Sequence, residues 1–550
     1  MALKESDGLC QINREDIYQR LERLSVIRSL LSIIMHDALL AQLAKLGDIK
    51  VISRTSVLEY ADSPKNMRQI GEELGVTTIL EGSVLRSGDA LQINVQLIDA
   101  QTDEHLWAEI YDRELTAENG FAIQREMATS IAGALRATLS PEEVERLNAV
   151  PTENTRAWSF YLSGLDYQGP RSDNRLAIQQ LTRAVEEDPE FALAWAALGE
   201  SHNDELRERD RTESRRRNAL EAIQRALELE PDLSEAHLAM GSYHVAANRD
   251  YPRALLELAI AEQGMPGDVR IYRRRALTYD RMGDFDREAA AWERVIELDP
   301  RETDALFRLA FAHSNRRDYA RHEQYLDRYL EMVPDDADAY RSKVRTPMFR
   351  DGDVSLVKAA AENPPIDLGD HRSHLGWEAS LYERDYDTAL RYLDNWRIEG
   401  WYGRRPKASY YGMIYRLAEQ AELAEQHFQT ARAEISAVLE ESPESYFALV
   451  ALGEVLAGLG ETEEALAAVR RAFELMPRER DAFRGPLTQL EGTMRVLAVA
   501  GDDDATLAAL DEYLSGPGHW SIEGLLPDPN LDNIRDDPRF QALVEKYRRR

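Results

Sequence analysis

The chain has 550 residues, 43% hydrophobic and 30% charged, and a formal charge of −32. Such a composition belongs to a folded chain, and its acidity argues against broad binding to nucleic-acid phosphates or anionic lipid. One cysteine, Cys10, excludes an internal disulfide and a cysteine zinc cluster. No stretch reaches the roughly 20 apolar residues of a membrane helix; residues 24–35 come nearest and are interrupted by Arg28. A reducing cytoplasm is the expected location, with the periplasm as the alternative if the start is truncated.

Apolar residues at Ile17, Leu21, Leu24 and Ile27 fall on helical spacing, and a second helical stretch runs from Ser29 to Leu46. The period then changes. Residues 49–52 read as a short strand, and Ser63-Pro64 opens a helix that ends at Leu74-Gly75. Residues 77–86 and 91–99 are β-rich, joined through Ser87-Gly88-Asp89 as in a hairpin. Leu91, Ile93, Val95 and Leu97 alternate with Gln92, Asn94 and Gln96, which predicts one buried and one wet face. A third strand over 105–113 follows the Thr102-Asp103 turn and places Trp107, Glu109 and Tyr111 on one face, packed under helices. A helix over 121–139 leads to Ser140-Pro141, the expected boundary of a small α/β domain.

Beyond residue 155 the punctuation becomes periodic. Pro266, Pro300 and Pro334 stand 34 residues apart, and Glu-x-x-Pro recurs at Pro189, Pro231, Pro300, Pro334 and Pro477. Five residues before the prolines lie Ala184, Ala226, Ala261 and Ala472; twelve before lie Ala177, Ala219, Ala254 and Ala465. Six after comes a large side chain, as in Trp195, His237, Tyr272, Leu306 and Tyr340. A period near 34 with small residues at fixed offsets means stacked pairs of helices. Pro347 and Pro364-Pro365 disturb the register, so residues 345–440 read as degenerate repeats. Residues 207–217 form a charged insertion, and residues 516–550 read as a cap on the last apolar face.

These repeats resemble tetratricopeptide repeats over about 155–515. The stretches 51–57, 68–75, 80–84, 96–99 and 106–113 resemble a TolB amino-terminal-like domain over about 36–137. Its customary opening Val-x-Pro-Phe strand is absent, and residues 1–35 stand as a separate helical segment. The resemblance implies a mainly α chain, with a right-handed tetratricopeptide superhelix preceded by a small α/β domain at 36–140. It also implies an association with bacterial adenylate cyclases, winged-helix transcription activators or serine/threonine kinases.

No phosphate loop, dinucleotide fingerprint, nucleophile elbow or His-Glu-x-x-His occurs. His371/His374 and His237/His244 lack a third metal ligand, and Asp502-Asp503-Asp504 reads as a helix start. No catalytic residue, metal or cofactor is therefore expected. The repeat positions that face a tetratricopeptide groove are occupied by Arg270, Arg273 and Arg281, then by Phe307, Phe311 and Asn315. Guanidinium and aromatic groups in an acidic chain suit an acidic protein or peptide partner, unless acidic residues of adjacent helices neutralise them. Trp396, Trp401, Tyr402, Arg404, Arg405 and Lys407 form a second cluster, read equally as core packing beside a charged loop. The expected function is a non-catalytic interaction scaffold; the alternative is a detached regulatory subunit of a cyclase or transcription-regulator system.

Overall fold

The computed structural model describes residues 65–87, 90–114, 117–135, 139–167, 174–208, 212–397, 405–477 and 494–548, with isolated positions between 39 and 60. The helix expected before residue 35, the hairpin tip at 88–89, and Trp401, Tyr402 and Arg404 lie outside them. Two compact units result: Met1–Arg274 with Glu297–Arg301, and Arg275–Ile296 with Glu302–Arg550.

In the first unit, α1 (Met67–Leu74) starts at a reciprocal cap between Asn66 and Gln69 and stops at left-handed Gly75. Three antiparallel strands follow, β1 (Thr78–Ser87), β2 (Ala90–Asp99) and β3 (His105–Glu114), in the order β1-β2-β3. Ile49, Val51 and Ile52 are not in a strand; Ile49 and Ile52 are buried as loop residues instead. Ile93, Val95 and Tyr111 pack on Ile123, Met127 and Ile131 of α2 (Ala117–Ala134). The other face is wet: Gln96 donates to Glu81 at 2.9 Å and Asn94 to Ser83 at 3.3 Å. Ser140-Pro141 starts another helix, α3 (Pro141–Asn148). Its Ser140 and Glu143 cap each other, and the sheet core continues through Leu147 into Trp158 and Leu162 of the next helix.

Helix pairs then succeed one another. They are α4 (Thr155–Asp166) with α5 (Asn174–Glu187), α6 (Ala192–Glu208) with α7 (Glu213–Leu229), and α8 (Ser234–Tyr243) with α9 (Tyr251–Gly264). Residues 207–208 and 213–217 of the charged insertion lie within α6 and α7. All eight alanines picked out by the proline count are fully buried. At Gly199 an added Cβ would stand 2.4 Å from Ile223 Cγ1, so the Leu-Gly pair marks where two helices touch. At three of the repeats the large residue six after the proline has a second role. Trp195 Nε1 donates to the Pro189 carbonyl at 3.0 Å, Tyr272 Oη to that of Pro266 at 2.9 Å, and His237 Nε2 lies 2.9 Å from that of Pro231. Each polar tip satisfies a carbonyl left over where the helix has ended.

Next come α10 (Val269–Met282), which spans the division at Arg274, and α11 (Phe285–Leu298). The second unit goes on through α12 (Thr303–Asn315), α13 (Tyr319–Met332), α14 (Ala337–Asp351), α15 (Ser355–Glu362), α16 (Asp370–Tyr382) and α17 (Tyr386–Asn395). It continues with α18 (Lys407–Leu417), α19 (Ala421–Glu441), α20 (Tyr446–Gly458), α21 (Thr462–Leu475), α22 (Arg495–Ala500) and α23 (Asp503–Ser515). Pro347 does not break the register. It sits inside α14, where burial of Met348 and Phe349 outweighs the roughly 3 kcal/mol cost of a mid-helix proline.

The segment after α23 does more than cap the last repeat. It contains α24 (Ile522–Leu525), a 3₁₀ turn (Pro529–Ile534) and α25 (Pro538–Arg548). Trp520, Ile522, Leu525, Leu531 and Phe540 share one core with Tyr319, Met348, Phe349, Val357 and Leu375, so the end of the array returns to α13–α16. Gly518 N donates to the Asn315 carbonyl at 2.8 Å, and Ser521 N to that of Phe349 at 3.0 Å. Arg317, at a left-handed φ of 58°, donates to the carbonyls of Trp520, Gly516 and Tyr513 at 2.7, 2.7 and 3.3 Å. Arg317→Met keeps the apolar stem and removes those bonds. It should destabilise the second unit by about 2–3 kcal/mol, read as a lower calorimetric midpoint; an unchanged midpoint would show that the Arg317 bonds add nothing to the docking of the segment.

Candidate binding cavity of the repeats

The six residues expected to form one patch fall into the two units. Arg270 and Arg273 belong to the first; Arg281, Phe307, Phe311 and Asn315 belong to the second. Arg270 is half exposed and grips Asp268 at 2.5 Å. Burial raises the Asp268 carboxyl, but the Arg270 charge and hydrogen bonds bring it below the ordinary value. Arg273 is half-buried. The next residue, Arg274, reaches across the first helices of earlier repeats, to Glu200 of α6 at 2.7 Å, Asp204 at 3.2 Å and Ser242 Oγ of α8 at 3.0 Å. At this face acidic residues of adjacent helices do neutralise an arginine.

In the second unit Arg281 lies 3.7 Å from Asp280. Burial, and then the Asp280 charge, push the Glu288 carboxyl up to about 9, and it accepts from the Trp292 indole at 3.2 Å. Its other oxygen has no hydrogen-bond partner among the described residues. The folded protein thus keeps a proton here that the unfolded chain gives up above about 4.5. The stability contributed by this group falls as pH climbs from about 4.5 towards 9. Glu288→Gln should remove this slope, so its thermal midpoint should exceed that of the native protein by a margin that widens between those limits. A margin independent of pH would exclude the buried acid.

Phe307 packs on Phe311 and on Tyr329, with ring centroids 4.9 and 5.2 Å apart. Phe311 and Asn315 line a cavity of about 540 Å³ bounded by the first helix of each repeat from α12 to α22 and by residues 517–520. Asp338, Arg341, Arg345 and Phe349 of α14 line it too. These follow Asp304, Phe307, Phe311 and Asn315 by 34 residues, so carrying the groove rule one repeat further finds them. On α16 the lining includes His374, Trp377 and Glu378, and on α18 Tyr410 and Met413.

The polar wall is organised. Arg345 holds Glu378 through two bonds of 2.8 and 2.6 Å, and its guanidinium lies 4.7 Å from the Phe349 ring. Arg405 donates to Glu454 at 2.9 Å and lies 5.6 Å over Tyr410. Arg416 donates to Asn530 at 2.6 Å, and Asn530 in turn to Asp528 at 2.9 Å. Trp377 stands edge-on to Tyr410 at 5.3 Å and packs on Trp396 at 5.7 Å, so Trp396 is core. Lys407 donates to the Asp394 carbonyl at 3.1 Å. Burial, and then Arg345, push His519 down to about 3; burial with Arg345 and Arg341 lowers His374 well below the usual imidazole value. Both rings are neutral near pH 7. His371 faces Asp338 and His237 faces Glu257, and no group of metal-ligating side chains occurs among the described residues.

Tetratricopeptide repeat families match residues 273–337 and 406–478. A Rhizobium meliloti (strain 1021) protein named "Putative adenylate cyclase 3" is 35% identical over 164 residues, 30% of this chain and 28% of that protein. This chain therefore spans under a third of that relative. Among solved structures, Pseudomonas aeruginosa PilF is 19% identical, covering 44% of this chain and 90% of its own, with a TM-score of 0.28. A thermophilic protein with the same repeats from Thermus thermophilus is 18% identical, covering 33% and 94%, with a TM-score of 0.28. No helix among the described residues is long and apolar enough to cross a membrane.

Proposed function

We propose that this tetratricopeptide repeat protein is a non-catalytic scaffold that holds an acidic protein segment against the first helices of its repeats. The setting is a bacterial signalling or envelope-related assembly in the cytoplasm, and the α/β domain is of the TolB amino-terminal-like kind. The observation that carries this reading is the arginine content of the repeat faces in a chain of charge −32. Arg270 is half exposed while already oriented by Asp268, so an incoming carboxylate meets a guanidinium held in place. Pull-down with the full chain, followed by titration of the captured partner, tests it. Arg270→Ala with Arg273→Ala should weaken binding more than tenfold, and native affinity should fall with added salt. Equal affinity in the double variant would remove this face from the interaction.

A second reading is favoured by the 164-residue match to the cyclase-named protein. Under it the chain is the detached regulatory subunit of a class III adenylate cyclase or of a transcription-regulator system. Co-expression with a cyclase encoded beside its gene should change cyclic AMP output; no change with every neighbouring cyclase would end the cyclase form of that reading.

A further inference from the structure

We infer that the cavity of the second unit is a binding site for a small planar aromatic carboxylate. This goes beyond the scaffold reading and stands independently of it. The cavity of about 540 Å³ falls within the range of small-molecule sites. Its end between α12 and α14 is occupied by residues 517–520, fixed by the Gly518–Asn315 bond of 2.8 Å and by Tyr319, which donates to the His519 carbonyl at 2.9 Å. An extended peptide threading along the repeats would be stopped there, whereas a compact ligand would not.

The charge of the wall tips towards an anion by one guanidinium, even though Arg341 lies 3.3 Å from Asp338 and Arg345 and Arg405 hold Glu378 and Glu454. Arg341, Arg345, Arg405 and Arg495 line the cavity against Asp338, Glu378 and Asp528. Including Glu454 and Arg416 directly behind, five guanidiniums face four carboxylates, the reverse of the balance in the whole chain. Burial, and then the nearby arginines, keep His374 and His519 neutral, so neither ring changes this balance. The remaining wall selects a flat apolar body. Trp377 is nine-tenths buried, and its indole N–H has no hydrogen-bond partner among the described residues. Tyr410, Phe349 and Trp520 offer further ring surfaces, and Arg345 and Arg405 are already stacked on two of these rings. A ring with an attached carboxylate meets both demands, by stacking and by bidentate pairing.

The full chain should be titrated with 8-anilinonaphthalene-1-sulfonate as a fluorescent planar anion. Indole-3-carboxylate, its neutral amide and a tetrapeptide ending in a free tryptophan serve as competitors. Saturable binding should be displaced by indole-3-carboxylate at concentrations at least tenfold below those of the amide or the tetrapeptide. Met413→Trp, which fills the cavity without touching a charge, should abolish that displacement, and Arg341→Gln should weaken it about tenfold with helicity unchanged. Equal displacement by the amide, tighter displacement by the tetrapeptide, no saturable binding, or indifference to both substitutions would each overturn the assignment.

Discussion

Everything in the repeat array depends on how closely the two helices of a pair can approach. Where Ala177, Ala184, Ala219 and Ala226 are fully buried, there is room for a methyl group and nothing larger. At Gly199 and Gly453 there is no room even for that, since an added Cβ would lie 2.4 and 2.7 Å from the facing side chains. This close seam determines the rest. The first helix must end where the second begins to cross it, and the proline and left-handed positions that end helices leave carbonyls unsatisfied. The bulky residue six positions after a proline then fills the space beside the next pair, and in Trp195, His237 and Tyr272 it also reaches that carbonyl. A single spatial requirement accounts for the small residues, the prolines and the aromatic residues together.

Stacking by nearest neighbours would leave each repeat stabilised only by those beside it. The second unit departs from this rule, because its last segment packs on α13–α16 and joins the end of the array to an earlier part of it. Contacts such as Arg317 with the Trp520 carbonyl span about 200 residues of chain, so they tie repeats that are not sequence neighbours. The enclosed space among α12, α14, α16, α18 and α20 exists because of that closure. Its polar lining is tolerated because nearly every charge meets an opposite one or an aromatic face.

Features with a period were legible in the sequence, and features without one were not. The hairpin, the alternation of β2 and the buried alanines depend on neighbours in the chain, and the structure has them where the pattern placed them. Residues 49–52 read as a strand from β-branched composition alone. No ladder partner accompanies their described positions, which are used as apolar loop contacts instead. Pro347 read as a break because propensity weighs one missing hydrogen bond, while packing of Met348 and Phe349 is a tertiary quantity. The return of the tail to α13–α16 has no sequence period at all. For the groove, Phe311 and Asn315 line the cavity of the second unit. The arginines that accompany them come from the following repeat, through Arg341 and Arg345, and Arg281 is instead beside Asp280.

An alanine seam is generic, and nothing in it distinguishes the correct stacking of successive repeats from one slipped by a helical turn. The buried ion pairs supply that distinction. Arg274 on α10 reaches Glu200 on α6, Arg345 on α14 reaches Glu378 on α16, and Arg405 before α18 reaches Glu454 on α20. The first two join first helices of different repeats, and the third joins the turn before one first helix to another. Such pairs contribute little net stability, because desolvation offsets most of their attraction, yet leaving one partner alone costs roughly 3–5 kcal/mol. A slip of one turn would separate all three pairs while hardly disturbing the alanines. The same arginines that give the repeat faces their positive lining therefore also fix the register in which those faces form, which ties recognition of an anion to correct stacking of the array.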